Sequence, residues 1–241
     1  MNKKKALQII RETRQNYNVI AKEWNVSRQS PSGIKMAQIR QLKKDMTVLD
    51  VGCGNGFLAP LVMARGANYV GLDLSEKLIA IAKKKYKKEI QAGAKFLIGD
   101  MVSRLSFRNE TFDRIFSFAA FHHIPSNELR LKALREMFRV LKKKGQVVII
   151  VWNLRNKWSN ERFNIEFQLK NKLPQLDCGD VFVPWKASPA GSVERYLHIF
   201  TPMEIKLLAR QAGFKKCVIN YYNRAGKKEK NGEELVCKLY K

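Results

Sequence analysis

Two acids and three glycines set the chemistry open to this chain. Asp50 stands just ahead of Val51-Gly52-Cys53-Gly54-Asn55-Gly56, and Asp73 closes the next apolar run, Tyr69-Val70-Gly71-Leu72. The distance from Gly52 to Asp73 is close to the roughly 20 residues that separate a nucleotide-binding glycine turn from a ribose-binding acid. Glycines let a backbone approach a ligand with no Cβ between them. A carboxylate at a strand end can accept two hydrogen bonds from a ribose diol. The spacing is GxGxG rather than GxGxxG. A pyrophosphate wants helix N–H donors, and Asp50 would repel it. The expected ligand is therefore a ribose-bearing cation without phosphates; the alternative is a plain strand-turn-helix that holds nothing.

S-adenosylmethionine has a sulfonium, an ammonium and a ribose, and meets that description. The segment Asp50-Val51-Gly52-Cys53-Gly54-Asn55-Gly56 resembles the first motif of class I S-adenosylmethionine-dependent methyltransferases. The resemblance implies that Asp50, Gly52 and Gly54 surround the methionine part, that Asp73 holds the ribose diol, and that Leu74 lies beside the adenine. It implies that the Asp100 carboxylate takes the adenine amine while the Met101 backbone N–H reaches a ring nitrogen. Phe118 matches the place where the fourth strand passes under the cofactor. Taken alone, Asp100 also fits a turn acid after Gly99, and Phe118 also fits a core aromatic.

These residues require strands that end where they stand. Thr47 to Val51 reads as a buried strand, with a helix from about Phe57, and Tyr69 to Asp73 as the second strand. Ser75 caps a helix to about Tyr86, with Leu78, Ile81 and Ala82 inward and Lys83, Lys84, Lys85, Lys87 and Lys88 at its wet end. Ala94 to Ile98, Phe112 to Phe118 and Gln146 to Trp152 are strands three to five. Ser126 caps a helix to Leu141, ended by Lys142-Lys143-Lys144-Gly145. Thr201-Pro202-Met203-Glu204 is a capping box with proline at the first helical position, and Gly213 stops that helix. Lys216 to Tyr222 and Glu234 to Tyr240 are strands six and seven, antiparallel through a basic turn from Ala225 to Gly232. The alternation predicts an α/β fold: a seven-stranded, doubly wound, mostly parallel Rossmann-like sheet with right-handed crossovers.

Two segments fall outside that rhythm. Residues 1–42 hold a helical pattern from Lys4 to about Trp24 and a short helix from Ile34 to Leu42, expected to cross the sheet or lid the cofactor. Residues 153–200 are an expected substrate-side insertion, with a helix from Ser159 to Lys172 and a Pro-, Gly- and Trp-containing loop; such loops carry function more often than framework does. The chain, 1–241, reads as a single methyltransferase domain.

Lys and Arg number 46 against 21 acids, a formal charge of +25. Such an imbalance points to a polyanion, nucleic acid in the first place. A lysine-rich source explains many of the lysines but not the shortage of acids. No run approaches the ~18 apolar residues that span a membrane, and no basic amphipathic anchor stands out. The basic start has no apolar h-region, and the four cysteines include no CxxC pair. The expectations are a cytoplasmic protein with reduced thiols, no bound metal and no membrane partner.

Phe118-Ala119-Ala120-Phe121-His122-His123-Ile124, Val151-Trp152, Asp180-Val181-Phe182-Val183-Pro184-Trp185 and Arg195-Tyr196-Leu197-His198-Ile199-Phe200 follow in that order. With Tyr17 to Trp24 and Ser27-Arg28, they resemble the tRNA wobble-uridine carboxymethyl methyltransferase family. That family esterifies the carboxylate of 5-carboxymethyluridine, and its eukaryotic members work with a small zinc-binding activator subunit. The resemblance implies tRNA as substrate and such a subunit as partner. The chain departs from the family at Gln29 to Gly33 and between Asn153 and Asp180.

Methyl transfer from a sulfonium releases a neutral leaving group, so alignment supplies much of the acceleration. A carbon or amine acceptor needs a base, whereas a carboxylate is already ionised at neutral pH. The residues expected around the acceptor are Arg28, His122, Trp185, Arg195 and His198. Each has a bland alternative: a solvated loop arginine, a turn histidine, an anchor for the insertion, a phosphate contact, a core histidine. A small-molecule methyltransferase and a non-catalytic tRNA-binding scaffold are the competing readings. The first would not need +25; the second would not need an intact glycine turn.

Overall fold

The strand Thr47–Val51 (β1) sets the architecture, because both of its faces are dry. Val48 joins an apolar cluster with Phe116, Val148 and Ile150, while Leu49 and Val51 join another with Ile115, Val147 and Ile149. A strand apolar on both faces belongs in a parallel sheet covered by helices on both sides. The computed structural model describes residues 1–185, 192–223 and 225–241. Ahead of β1 come α1 (Lys3–Val19), α2 (Ala21–Ser27) and α3 (Gly33–Ile39). After it come α4 (Ala59–Met63), β2 (Asn68–Asp73), α5 (Glu76–Lys85), α6 (Lys87–Gln91), β3 (Lys95–Ile98) and β4 (Phe112–Phe118). A 3-10 turn, Phe121–His123, leads to α7 (Asn127–Val140) and β5 (Leu141–Trp152). The remainder is α8 (Lys157–Phe163), α9 (Ile165–Lys170), β6 (Asp180–Trp185), β7 (Val193–His198), α10 (Pro202–Gln211), β8 (Lys216–Tyr222) and β9 (Glu234–Tyr240).

Seven strands form one sheet in the order β3-β2-β1-β4-β5-β9-β8. The first five are parallel, and β9 enters antiparallel between β5 and β8. This is the mostly parallel, doubly wound sheet expected from the sequence. The helix starts follow local rules: Ser75 Oγ accepts from the Leu78 N–H at 3.2 Å, and Thr201 Oγ1 from the Glu204 N–H at 3.2 Å. No helix among the described residues is long and apolar enough to cross a membrane.

Several stretches differ from expectation. The N-terminal pattern is two helices broken at Ile20, not one. Lys142–Lys144 opens β5 rather than trailing α7, and the pairing with β4 shifts between Phe112 and Arg114 to absorb the extra residues. The expected helix from Ser159 to Lys172 is α8 and α9, interrupted at Asn164 in the left-handed conformation (φ 52) that asparagine tolerates. The expected loop is in part a hairpin, with Asp180 opposite His198 and Trp185 opposite Val193; residues 186–191 lie outside the described residues. Val181, Val183, Leu197 and Ile199 of this hairpin bury against Leu154 and Ile165, a small second core that holds the insertion on the main sheet.

Candidate cofactor and acceptor site

The C-terminal ends of β1, β2 and β4 open on one pocket of about 1220 Å³, part of it continuous with solvent. This is where ligands sit in open α/β sheets. Asp50, Gly52 and Gly54 line it from the first strand and turn, and Asp73 and Leu74 from the second. Asp100, Met101 and Phe118 complete that wall. Phe118 stacks on Phe116, ring centres 4.7 Å apart, which fixes the floor.

The two acids are aimed by different means. Asp50 is buried and accepts from the Tyr69 hydroxyl at 2.8 Å. Burial lifts its carboxyl to about 7 against the pull of that hydrogen bond, and the Asp73 charge adds to the lift. A carboxylate so placed gains strongly from a cation beside it. Asp73 accepts from the Gly54 N–H at 2.7 Å and from the Ser75 N–H at 2.9 Å, one on each oxygen. Each oxygen keeps a lone pair for a ribose hydroxyl. Burial raises its pKa as well. Asp100 is steered by the Val102 N–H at 2.9 Å.

The glycines are needed for a reason other than the one expected. All three have positive φ. A Cβ on Gly52 would come within 2.2 Å of the Ala120 methyl, and one on Gly54 within 2.5 Å of the Trp24 ring. What approaches these positions is protein, and the ligand space opens beside them. Asn55, fully buried, donates from Nδ2 to the Asn25 side chain at 2.8 Å and to the Arg28 carbonyl at 3.0 Å. The glycine turn therefore fastens α2 and Arg28 over the site.

Arg195 enters from β7. It is 5 % exposed and lines the pocket, its guanidinium 5.4 Å from the Trp152 ring centre and 5.0 Å from that of Trp185. Its Nε has no hydrogen-bond partner, and no carboxylate of the described residues forms an ion pair with it. Arg28 also lines the pocket and lies 5.8 Å from the Trp185 ring, so two cations flank that indole. Trp185 itself is outside the pocket lining and acts as the platform between them.

Two expected acceptor residues are elsewhere. His122 is buried behind the pocket, where its Nδ1 accepts from the Trp152 N–H at 3.4 Å and burial holds its pKa well below the usual value. The neighbouring His123 faces the pocket instead. His198 has both ring nitrogens taken, by Asp180 at 2.7 Å and Glu204 at 2.8 Å. Side chains alternate along a strand, so Arg195 and His198, three apart on β7, point to opposite faces. His198 joins a buried cluster in which the fully buried Arg130 meets Asp180 at 3.3 Å and the Tyr196 hydroxyl at 2.9 Å.

Tyr17, Trp24, Lys35 and Trp152 also line the pocket without having been assigned a role from the sequence, and His123, adjacent to the expected His122, does so too. The Tyr17 hydroxyl lies 2.8 Å from His123 Nε2 and also faces Arg195. Tyr17 and Trp24 were visible as apolar beats of a helix and as the ends of a segment carrying the resemblance; their seven-residue spacing is the signal that both face one way.

Residues 49–149 match the family model of a methyltransferase domain. That match, the doubly wound sheet and the pocket at its strand ends give the chain the fold of the solved S-adenosylmethionine-dependent methyltransferases it resembles, with a methyltransferase-like domain over residues 49–149. Among curated proteins it is similar to the mouse tRNA (carboxymethyluridine(34)-5-O)-methyltransferase ALKBH8, 30% identical over 61% of this chain and 21% of that protein. The matches span 21% to 54% of the length of the relatives carrying that carboxymethyluridine description. Among solved structures it is similar to a SAM-dependent methyltransferase from Methanosarcina mazei, 22% identical, TM-score 0.65, covering 85% of this chain and 96% of that one. It is also similar to a Haloferax volcanii methyltransferase solved in complex with the Trm112 methyltransferase activator, 17% identical, TM-score 0.60, covering 86% and 88%.

Proposed function

We propose that this chain methylates a carboxylate on tRNA, the carboxymethyl group of a wobble uridine, to give the methyl ester. The observation that carries the reading is Arg195: a buried guanidinium with no acid among the described residues to neutralise it, set against two indole rings beside the pocket. A buried cation without a counter-charge is costly, and a planar carboxylate taken in two parallel hydrogen bonds is the ligand that fits a guanidinium.

The residues toward the cofactor fit S-adenosylmethionine: Asp50 for the cationic amino-acid end, Asp73 for the ribose, Asp100 and Met101 for the adenine, and Phe118 beneath. When bound, the cofactor supplies an electrophilic methyl on a sulfonium that departs as a neutral thioether. The chain then has to place the acceptor and keep water out. Arg195 holds the acceptor carboxylate, Tyr17 borders the same space, and α1 and α2 cover it. On the acceptor side, His123 is not free to act as a base. His123 is kept neutral by burial, its pKa near 4, and both its nitrogens are engaged. A carbon or amine acceptor would need such a base; an ionised carboxylate does not. The +25 charge supports an RNA substrate. The tRNA carboxymethyluridine relatives support the same choice. By the same reading the chain works in the cytoplasm with an activator subunit of the kind in the Haloferax volcanii complex.

The test is mass spectrometry of nucleosides from tRNA incubated with the chain and methyl-labelled cofactor, with and without an activator subunit. The expected product is a labelled, alkali-labile methyl ester of 5-carboxymethyluridine. Label retained after mild alkali would place the methyl on carbon or nitrogen and end the reading.

A further inference from the structure

The lysine runs become unequal once the sheet is laid out. The pocket opens at the C-terminal ends of the parallel strands. Trp152 at the end of β5 pairs with Glu234 at the start of antiparallel β9, and Glu234 pairs in turn with Tyr222 at the end of β8. The turn between β8 and β9 therefore rises on the pocket edge. It is tied to the rim: Asn153 Nδ2 donates to the Gly232 carbonyl at 3.0 Å, and the Ser32 hydroxyl, just ahead of α3, donates to Glu234 at 3.0 Å. Gly33 lies so near this turn that a Cβ there would be 2.3 Å from the Ala225 carbonyl oxygen. Lys227, Lys228 and Lys230 are exposed on it, and Arg155 is exposed just beyond β5. By contrast Lys142, Lys143 and Lys144 open β5 at the far edge, where Lys142 pairs with Asp113 at 2.8 Å; Lys95, which starts parallel β3, is there too. The run from Lys83 ends α5, which starts at the pocket edge and leads away from it.

We propose that the β8–β9 turn is the docking surface for the RNA backbone, with Lys227, Lys228, Lys230 and Arg155 taking phosphates beside the nucleotide whose base enters the pocket. This rests on the tRNA reading and adds the surface to it. A base modified deep beside a cofactor must leave its stack, while its flanking phosphates stay at the rim. Lysines on a turn suit that role, because flexible point charges follow a backbone without reading bases.

The experiment is binding of fluorescently labelled tRNA to the full chain across a salt series. K227Q/K228Q/K230Q is expected to reduce the slope of log K against log salt by about 2 units, at roughly 0.7 to 0.9 per lost phosphate contact. K95Q/K143Q/K144Q removes the same charge from the far edge and is expected to leave the slope unchanged. K227R/K228R/K230R is expected to restore it, and cofactor affinity by calorimetry to stay level in all three, which separates lost contacts from misfolding. Equal slope changes in the two neutralised variants would overturn the docking surface and leave the tRNA reading standing. A wild-type chain that binds anionic phospholipid vesicles but not tRNA would overturn both.

Discussion

The Tyr17 hydroxyl lies 2.8 Å from one nitrogen of His123, while the other nitrogen lies 2.8 Å from the Tyr196 carbonyl oxygen. A carbonyl only accepts, so the second nitrogen carries the ring proton and Tyr17 donates to the first. One α1 side chain is thereby locked to the turn after β4 and, through it, to β7. Replacing Tyr17 with Phe leaves a buried imidazole nitrogen without a partner. The expected loss is about 1–3 kcal/mol of stability, read from urea unfolding, with cofactor affinity changed much less.

Burial sets two opposite pH dependences of stability. His123 is depressed to about 4, below its unfolded value. The unfolded chain then binds the extra proton, and this contribution to stability, full above about 6.5, is lost as pH falls toward 4. Asp50 is raised to about 7. The folded chain binds the extra proton there, so the Asp50 contribution falls as pH rises from about 4 to 7. In the wild type the two slopes oppose each other. His123→Gln is expected to tilt the unfolding free energy downward between about pH 4.5 and 6.5 relative to wild type, and Asp50→Asn to tilt it upward. Parallel curves for all three proteins would show that neither group titrates as its burial dictates.

Cofactor binding has its own pH dependence. A cation prefers the ionised form of Asp50, so affinity for S-adenosylmethionine is expected to rise through pH 7 with release of a proton. Calorimetry in buffers of differing ionisation enthalpy measures that proton directly. Asp50→Asn is expected to weaken binding and abolish the release.

Arg195 separates charge from shape. Arg195→Met is expected to lower kcat/KM on tRNA at least a hundredfold, about 3 kcal/mol for a buried hydrogen-bonded charge, with cofactor affinity preserved. Arg195→Lys keeps the charge but loses the planar fork that lies against Trp152 and Trp185, and is expected to recover only a small part. An activity close to wild type in the Met variant would remove the acceptor assignment.

The cluster around Arg130 is a matter of stability. Arg130→Met strands the buried Asp180 carboxylate and is expected to cost about 3–5 kcal/mol. His198→Ala should destabilise the hairpin while leaving KM for tRNA unchanged in the folded fraction, whereas an acceptor contact would raise KM.

The pocket wall at the ends of β1 and β2 was legible because its information is local. Asp50, the glycine turn and Asp73 sit at strand ends that apolar runs mark on their own. The wall formed with the β6–β7 hairpin was not, because that hairpin is hidden by a proline and by a polar face. Had Val181 and Val183 against Leu197 and Ile199 been read as alternation, the odd spacing of Arg195 and His198 would have separated them at once. For His122 and His123 no such pattern exists. They are adjacent in a single 3-10 turn, and only packing against Trp152 and Tyr196 decides which one faces the cavity.

Of the chain's 4 tryptophans, Trp24 and Trp152 line the pocket, Trp185 lies between the two arginines beside it, and Trp158 stands 51% exposed on α8. The molecule thus carries an optical gauge of its own occupancy. Filling the cavity changes the surroundings of the two lining indoles and leaves Trp158 as a constant background, so loading can be followed by intrinsic emission without attaching a dye.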